Sequence, residues 1–214
     1  MEEVFPKVVF YIFGIPVRDT VISTWASMAI ILGVVWFIRE RMPTALEMVI
    51  EFVRSTLSDV MQDIDVDPFV PFLGSLGLFL LFVNNIGLVP LIETPTKDIN
   101  TPLALALVVF FAVHAYGIQQ NGLLGYLKSL ATPMIILDII GQASRTMSLT
   151  LRLFGNIIAG EIIVAVISML VPVIAPLPMV ALSVFSGVLQ AYIFMVLATG
   201  YLAAVARHDE SEES

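Results

Sequence analysis

An arginine stands near the middle of a thirty-seven-residue run, Met134–Leu170, that holds no proline and only four charged residues. As one helix this run would be ~55 Å long at ~1.5 Å per residue, nearly twice a ~30 Å hydrocarbon core. No water-soluble helix needs such a composition, and a membrane helix of this length must tilt steeply or break. Arg152 keeps its proton in any protein environment. Placing it at the bilayer centre costs roughly 3 kcal/mol on insertion scales. Asp138 is fourteen residues away, about 21 Å along a helix at ~1.5 Å per residue. Glu161 is nine residues away, half a turn round and on the opposite face. Neither carboxylate pairs with Arg152 on the same helix, so its partner is predicted on another helix or another chain.

The rest of the chain agrees with a membrane setting. Only 13% of its 214 residues are charged, against about 25% in soluble domains. The net charge of −8 comes largely from the Asp59–Asp67 segment and the acidic tail 207–214. These are solvated ends and argue against a nucleic-acid partner. With no cysteine and two histidines far apart, no thiolate site, metal site or catalytic constellation is expected. No Gly-x-x-x-x-Gly-Lys-[Ser/Thr] motif is present, so any nucleotide chemistry belongs to a partner. The start, Met-Glu-Glu, lacks the basic n-region of a cleavable signal peptide.

The predicted fold is an all-α integral membrane protein with about five spans and one interfacial helix. Val8–Ile15 is a short apolar piece expected at the interface. Residues 21–38 form a first span ended by Arg39 and Arg41. Residues 43–64 are amphipathic, with Leu46, Val49, Ile50, Val53, Leu57, Val60 and Ile64 on one face. That helix either lies on the membrane surface or packs on a partner. Residues 72–89 and 103–118 are the second and third spans, joined by a polar loop rich in Pro and Thr; Asn121–Thr132 reads as a connector. Residues 134–170 and 177–206, joined by Pro172, Pro176 and Pro178, form a long tilted hairpin. Arg39, Arg41, Arg54, Lys128 and Arg207 fall on one side of five spans, and Lys7, Arg18 and Lys97 on the other. The richer side is cytoplasmic, which places the N-terminus outside and the C-terminus inside.

Along the Met134 helix, Asp138, Gln142, Arg145, Ser148, Arg152 and Asn156 lie within about 60° of one line. Gly141, Gly155, Ala159 and Gly160 are small residues beside this stripe. Such a stripe admits another helix at close range, or glues its own helix to neighbours. Arg145 can snorkel toward headgroups or lean toward Asp138. Glu161 points away from the stripe, either toward a water-filled cavity or into a hydrogen bond with a neighbouring helix. His114 lies toward the inner end of the third span and serves either an aqueous path or packing. On the last helix Ser183, Gly187, Gln190 and Tyr201 share a face, and Gln190 is a candidate to sit opposite Arg152.

The block Ser148-Leu-Thr-Leu-Arg152-Leu-Phe-Gly-Asn156-Ile-Ile-Ala-Gly-Glu161 resembles the signature of the a subunit of F-type ATP synthases. Asn84-Asn-Ile-Gly-Leu-Val-Pro90, Pro95-Thr-Lys-Asp-Ile-Asn-Thr-Pro-Leu-Ala-Leu-Ala-Leu107 and Gln190-Ala-Tyr-Ile-Phe-Met-Val-Leu197 resemble further stretches of that family. The likeness covers about residues 20–206. It implies a subunit without a catalytic site or cofactor of its own, in a bacterial plasma membrane or an equivalent energy-transducing membrane. The implied partners are a rotor-ring proteolipid, a peripheral-stalk b-type subunit and the soluble ATP-hydrolysing sector. The resemblance also implies two half-channels for H+ or Na+. The outer one lies near Glu161, Asn156 and His114, the inner one near Asp138 and Ser148, with Arg152 facing the rotor carboxylate. Some relatives carry an ionisable group seven residues before the last-helix glutamine; this chain has Ser183 there. The competing reading is a self-contained secondary transporter in which Arg152 binds an anionic substrate. Internal repeats would mark that class, and the spans differ in length and polarity.

Overall fold

The computed structural model describes residues 8–12, 15–62, 64–89, 92–130, 135–171 and 174–208; the side chains of 123–130, 135–139, 207 and 208 are among those outside the description. Six helices dominate: α1 (Asp19–Arg41), α2 (Pro43–Met61), α3 (Val70–Asn85), α4 (Asn100–Leu130), α5 (Ile135–Leu170) and α6 (Pro176–His208). Five of them are long and apolar enough to cross a membrane. The chain is therefore an all-α membrane protein with no sheet core. Among the described residues the one piece of sheet is a small antiparallel hairpin, β1 (Val8–Ile12) with β2 (Ile15–Arg18), placed where the sequence showed only a short apolar piece.

Local chemistry explains the helix limits. Pro43 opens α2 at a first-turn position, where its missing N–H is no loss. Gln62 closes α2 with φ 54°. α4 runs further than its apolar stretch. Helix continues on both sides of Gly122, whose φ of 67° and ψ of 162° make a kink. Residues 123–130 are thus helical; the stretch read as a connector continues α4 beyond the Gly122 kink over its described part. α5 is one helix of 36 residues, about 54 Å by the same rise.

The core gathers around α6. Phe194, Ala191, Ala198 and Leu202 of α6 are buried against Leu149 and Leu153 of α5, Leu73, Leu76 and Leu80 of α3, and Ala106 and Val109 of α4. Within lipid, dispersion and small residues at the seam drive such packing more than water exclusion does. At the α3–α6 crossing, a Cβ on Gly187 would lie 3.1 Å from Asn85 Oδ1 and 3.3 Å from Asn84 Cβ, so glycine sets the distance of approach. The amphipathic α2 packs onto the bundle of its own chain. Its second half packs Val53, Leu57 and Met61 into this same core, while Met48, Val49, Ile50 and Phe52 stay exposed. The Arg54–Asp67 ion pair at 2.9 Å is solvent-exposed on both sides and adds little.

The 3-10 turn Pro95–Lys97 and its flanks are folded back into the bundle. Thr94, Thr96, Lys97 and Asp98 are all buried. Asp98 Oδ2 accepts from Arg18 Nη1 at 2.7 Å and from Thr20 Oγ1 at 3.3 Å, and Asp98 Oδ1 accepts from Asn100. These bonds tie the start of α1 to the 92–99 segment. The polar loop is a plug held by long-range partners.

Candidate functional site

A cavity of about 420 Å³ opens at the end of the bundle that carries the 92–99 segment and the α5–α6 turn. Asn84 and Asn85 of α3, Thr94, Asn156 and Glu161 of α5, and Ser183 and Ser186 of α6 give it polar walls; Met179, Leu182 and Ile163 give it apolar ones. Ser186 Oγ donates to Asn156 Oδ1 at 2.9 Å, a polar bridge from α6 to α5. Asn84 Nδ2 donates to the Gly187 carbonyl, and Asn84 Oδ1 accepts from Thr96 Oγ1, each at 3.2 Å. Asn85 Nδ2 donates to the Leu81 carbonyl at 2.7 Å, while Asn85 Oδ1 is buried without a hydrogen-bond partner. Glu161 is half-buried in this wall. Its electrostatic neighbours are Lys97, Glu93 and the Thr94 hydroxyl. A carboxylate, three asparagines and three hydroxyls around one cavity can hold water and pass a small cation.

Arg152 lies elsewhere. It is exposed on α5, and its Nη2 donates to Ser148 Oγ at 3.5 Å, the far limit of a hydrogen bond. Among the described residues it makes no ion pair. Met147 and Leu151 beside it are 61% and 54% exposed, and a Cβ on Gly141 or Gly155 would meet nothing within 4 Å. The Arg152 side of α5 is therefore uncovered by the described residues.

Gln190 lies at the height of Arg152. Asn156 meets Ser186 and Gly160 meets Ser183 across the antiparallel α5–α6 hairpin. One turn further along each helix brings Arg152 and Gln190 level. Gln190 is buried, and its Nε2 has no hydrogen-bond partner, so it turns into the bundle while Arg152 turns out. Arg145 finds an aromatic face, with its guanidinium carbon 5.3 Å from the Tyr201 ring centroid. Both line a small cleft with Gln142, Thr146 and His114. His114 is thus grouped with Arg145 and is not among the residues lining the Glu161 cavity. Its Nδ1 lies 2.8 Å from the Phe110 carbonyl. Asp138 is on α5, with its side chain outside the described residues.

The structure brings Asn156, Glu161 and Ser183 together and adds Asn85, Thr94, Ser186, Glu93 and Lys97, which sequence reasoning missed. The Asn84-Asn85 pair inside an apolar helix was a signal for the first of these. Glu93 and Lys97 gave none, since loop charges are normally solvated.

Five helices long and apolar enough to cross a membrane, two of them paired as a long hairpin beside a polar cavity, define a polytopic membrane protein. The sequence comparisons narrow the class. The ATP synthase A chain family matches residues 21–203. ATP synthase subunit a 2 of Bradyrhizobium sp. is 40% identical, with 91% of this chain and 92% of that protein covered. ATP synthase subunit a 2 of Picosynechococcus sp. is 38% identical over 97% and 94% of the two chains. ATP synthase subunit a 1 of Chlorobaculum parvum is 37% identical over 91% of each. The chain belongs to the ATP synthase subunit a family.

Proposed function

We propose that this chain is the ion-translocating stator subunit of a rotary ATP synthase, working against a proteolipid rotor ring and joined to a b-type stalk and a soluble nucleotide-hydrolysing sector. The observation that carries this reading is Arg152: permanently charged, within a span, with no acid paired to it and no cover over its face among the described residues. A rotor carboxylate passing that face is held ionised, and its H+ or Na+ is expelled. The same charge repels a cation moving straight through. The cavity at Glu161 and Asn156 is the outer half-channel, at the end of the bundle that holds the N-terminus of α1 and faces outside. Asp138 and Ser148 border the inner half-channel. Gln190, level with Arg152, sits behind the gap. His114, in the Arg145 cleft, is left out of the outer path.

Arg152→Ala tests this in inverted membrane vesicles. A charge pair at ~4 Å in a medium of effective dielectric ~20 is worth about 4 kcal/mol, so coupled ATP-driven ion uptake should fall by two orders of magnitude or more. Assembly, followed by co-purification of the soluble sector, should persist. Normal pumping by an assembled Arg152→Ala complex would falsify the reading.

A further inference from the structure

Lys97 is the largest fully buried side chain of the described residues. It belongs to the turn Pro95–Lys97, which packs against α1, α3, α4 and α5. Its Nζ donates to Glu93 Oε2, and the Glu93 side chain remains 45% exposed at the rim. A buried ammonium without a counter-charge is costly, so one carboxylate must always be at hand. Glu93 is at hand, and Glu161 lies within electrostatic reach beyond ion-pair distance. Lys97 and Glu93 are the charged groups that act on Glu161, and Thr94, on the same segment, lines the Glu161 cavity. The next charges, Arg18 and Asp98, are locked to each other at 2.7 Å.

Resting on the half-channel reading above, we propose that Lys97 is a positioning residue of the outer ion path: a tethered cation shared between Glu93 and Glu161 that releases Glu161 to take up an ion and holds it once the ion has moved on. Lysine suits this work. Its ammonium is a compact point charge on a flexible stem, able to change partner without moving backbone. When Glu161 carries a cation it is neutral, and Lys97 rests on Glu93. When Glu161 passes that cation to the rotor, its bare carboxylate competes for Lys97. The ammonium thus weakens retention of the ion at Glu161 and keeps the site from becoming a trap. No bond is made or broken beyond the transfer of the cation itself.

The test is ATP synthesis by the reconstituted complex in proteoliposomes whose lumen faces the outer half-channel. Luminal pH and luminal NaCl are varied separately, to cover either coupling ion. Lys97→Met should lower the half-saturating ion concentration about three- to tenfold and also lower the maximal rate, since release becomes slow. Glu93→Gln should do the opposite, because Lys97 then has only Glu161: the half-saturating concentration rises by a similar factor. Lys97→Arg should restore the half-saturation value in large part. A structural role would reduce the maximal rate in all three and leave half-saturation in place. That outcome, or a shift in the same direction for Lys97→Met and Glu93→Gln, overturns the proposal. If Lys97→Met fails to assemble, Glu93→Gln decides the matter alone. Glu161→Gln separates the two levels of inference. If it slows flux while the Lys97 and Glu93 variants leave half-saturation unmoved, only Lys97 loses its role. Normal flux in Glu161→Gln removes the outer path itself.

Discussion

Replacing Asn84 by leucine removes two hydrogen bonds at the junction of α3, α6 and the 92–99 segment. Thr96 Oγ1 loses its acceptor, and the Gly187 carbonyl loses a donor, each at 3.2 Å. Thr96 is 0% exposed, so its hydroxyl has no water to turn to. A buried hydrogen bond contributes about 1 kcal/mol net, and a stranded hydroxyl costs about 1–3 kcal/mol. The Gly187 carbonyl is a second acceptance on a helical group and matters less. The closed state of the segment should therefore lose about 2–3 kcal/mol, a rise of roughly 30- to 150-fold in the population that opens. Lys97 is the natural reporter, because its side chain is fully buried and meets a water-soluble amine reagent only in the open form. Modification of Lys97, timed by mass spectrometry on the intact complex, should accelerate by that factor in Asn84→Leu. Adding Thr96→Val removes the stranded hydroxyl and should return most of the protection, since losing both partners is far cheaper than losing one. An unchanged Lys97 rate in Asn84→Leu, or a faster one in the double variant, refutes the account of the segment as a hydrogen-bonded plug.

Two other perturbations probe orientation and the open face. The chain has no native cysteine, so Ile99→Cys, at an exposed position, should react with an impermeant maleimide from outside only, and Glu51→Cys on α2 from inside only; reversed labelling inverts the topology. Gly155→Ala should leave the subunit's stability within ~0.5 kcal/mol, because nothing lies within 4 Å of the added carbon. Gly155→Leu should cut ATP-driven pumping at least tenfold if a rotor helix passes there, and full pumping in that variant argues against close approach.

Part of this structure was legible in the chain and part was not, for physical reasons. Apolar length announces membrane helices whatever surrounds them, and so α1, α3 and the long α5–α6 pair could be anticipated. Arg152 stood out because its charge cannot be removed, and counting residues to Asp138 and Glu161 excluded a partner on its own helix. The burial of Lys97, Thr96 and Asp98 was not readable. For Thr96 and Asp98 it depends on Asn84 and Arg18, twelve and eighty residues away, and no local period records such distances; for Lys97 the partner Glu93 is four residues away, in a loop whose charges are normally solvated. The amphipathic pattern of α2 gave part of its buried side, Val53 and Leu57 but not the exposed Val49 and Ile50, and not what lay beneath it; Leu57 and Met61 meet the chain's own α3 and α6. The Gly122 kink falls inside the 121–132 stretch that the sequence marked as a connector, and helix resumes after it.

The way α1 is held bears on how the molecule meets its bilayer. Its buried residues are Thr20, Ser23 and Ser27, all within the first turns, beside the Asp98 tie to Arg18 and Thr20. Beyond Ser27 no residue of α1 is buried. Trp25, Leu32, Trp36 and Phe37 stand free, at 57–71% exposure. The helix is thus tied at its first turns, carries no buried residue beyond Ser27 and runs through Met42 into α2, and is ~35 Å long at ~1.5 Å per residue. A thinner or thicker membrane is met by tilt, and the tie at the first turns makes the Arg41 end, with α2, the part that would move. Lipid thickness would act on this protein as a force on the α1–α2 corner at Met42, remote from the Glu161 cavity, which the same anchor shields from the adjustment.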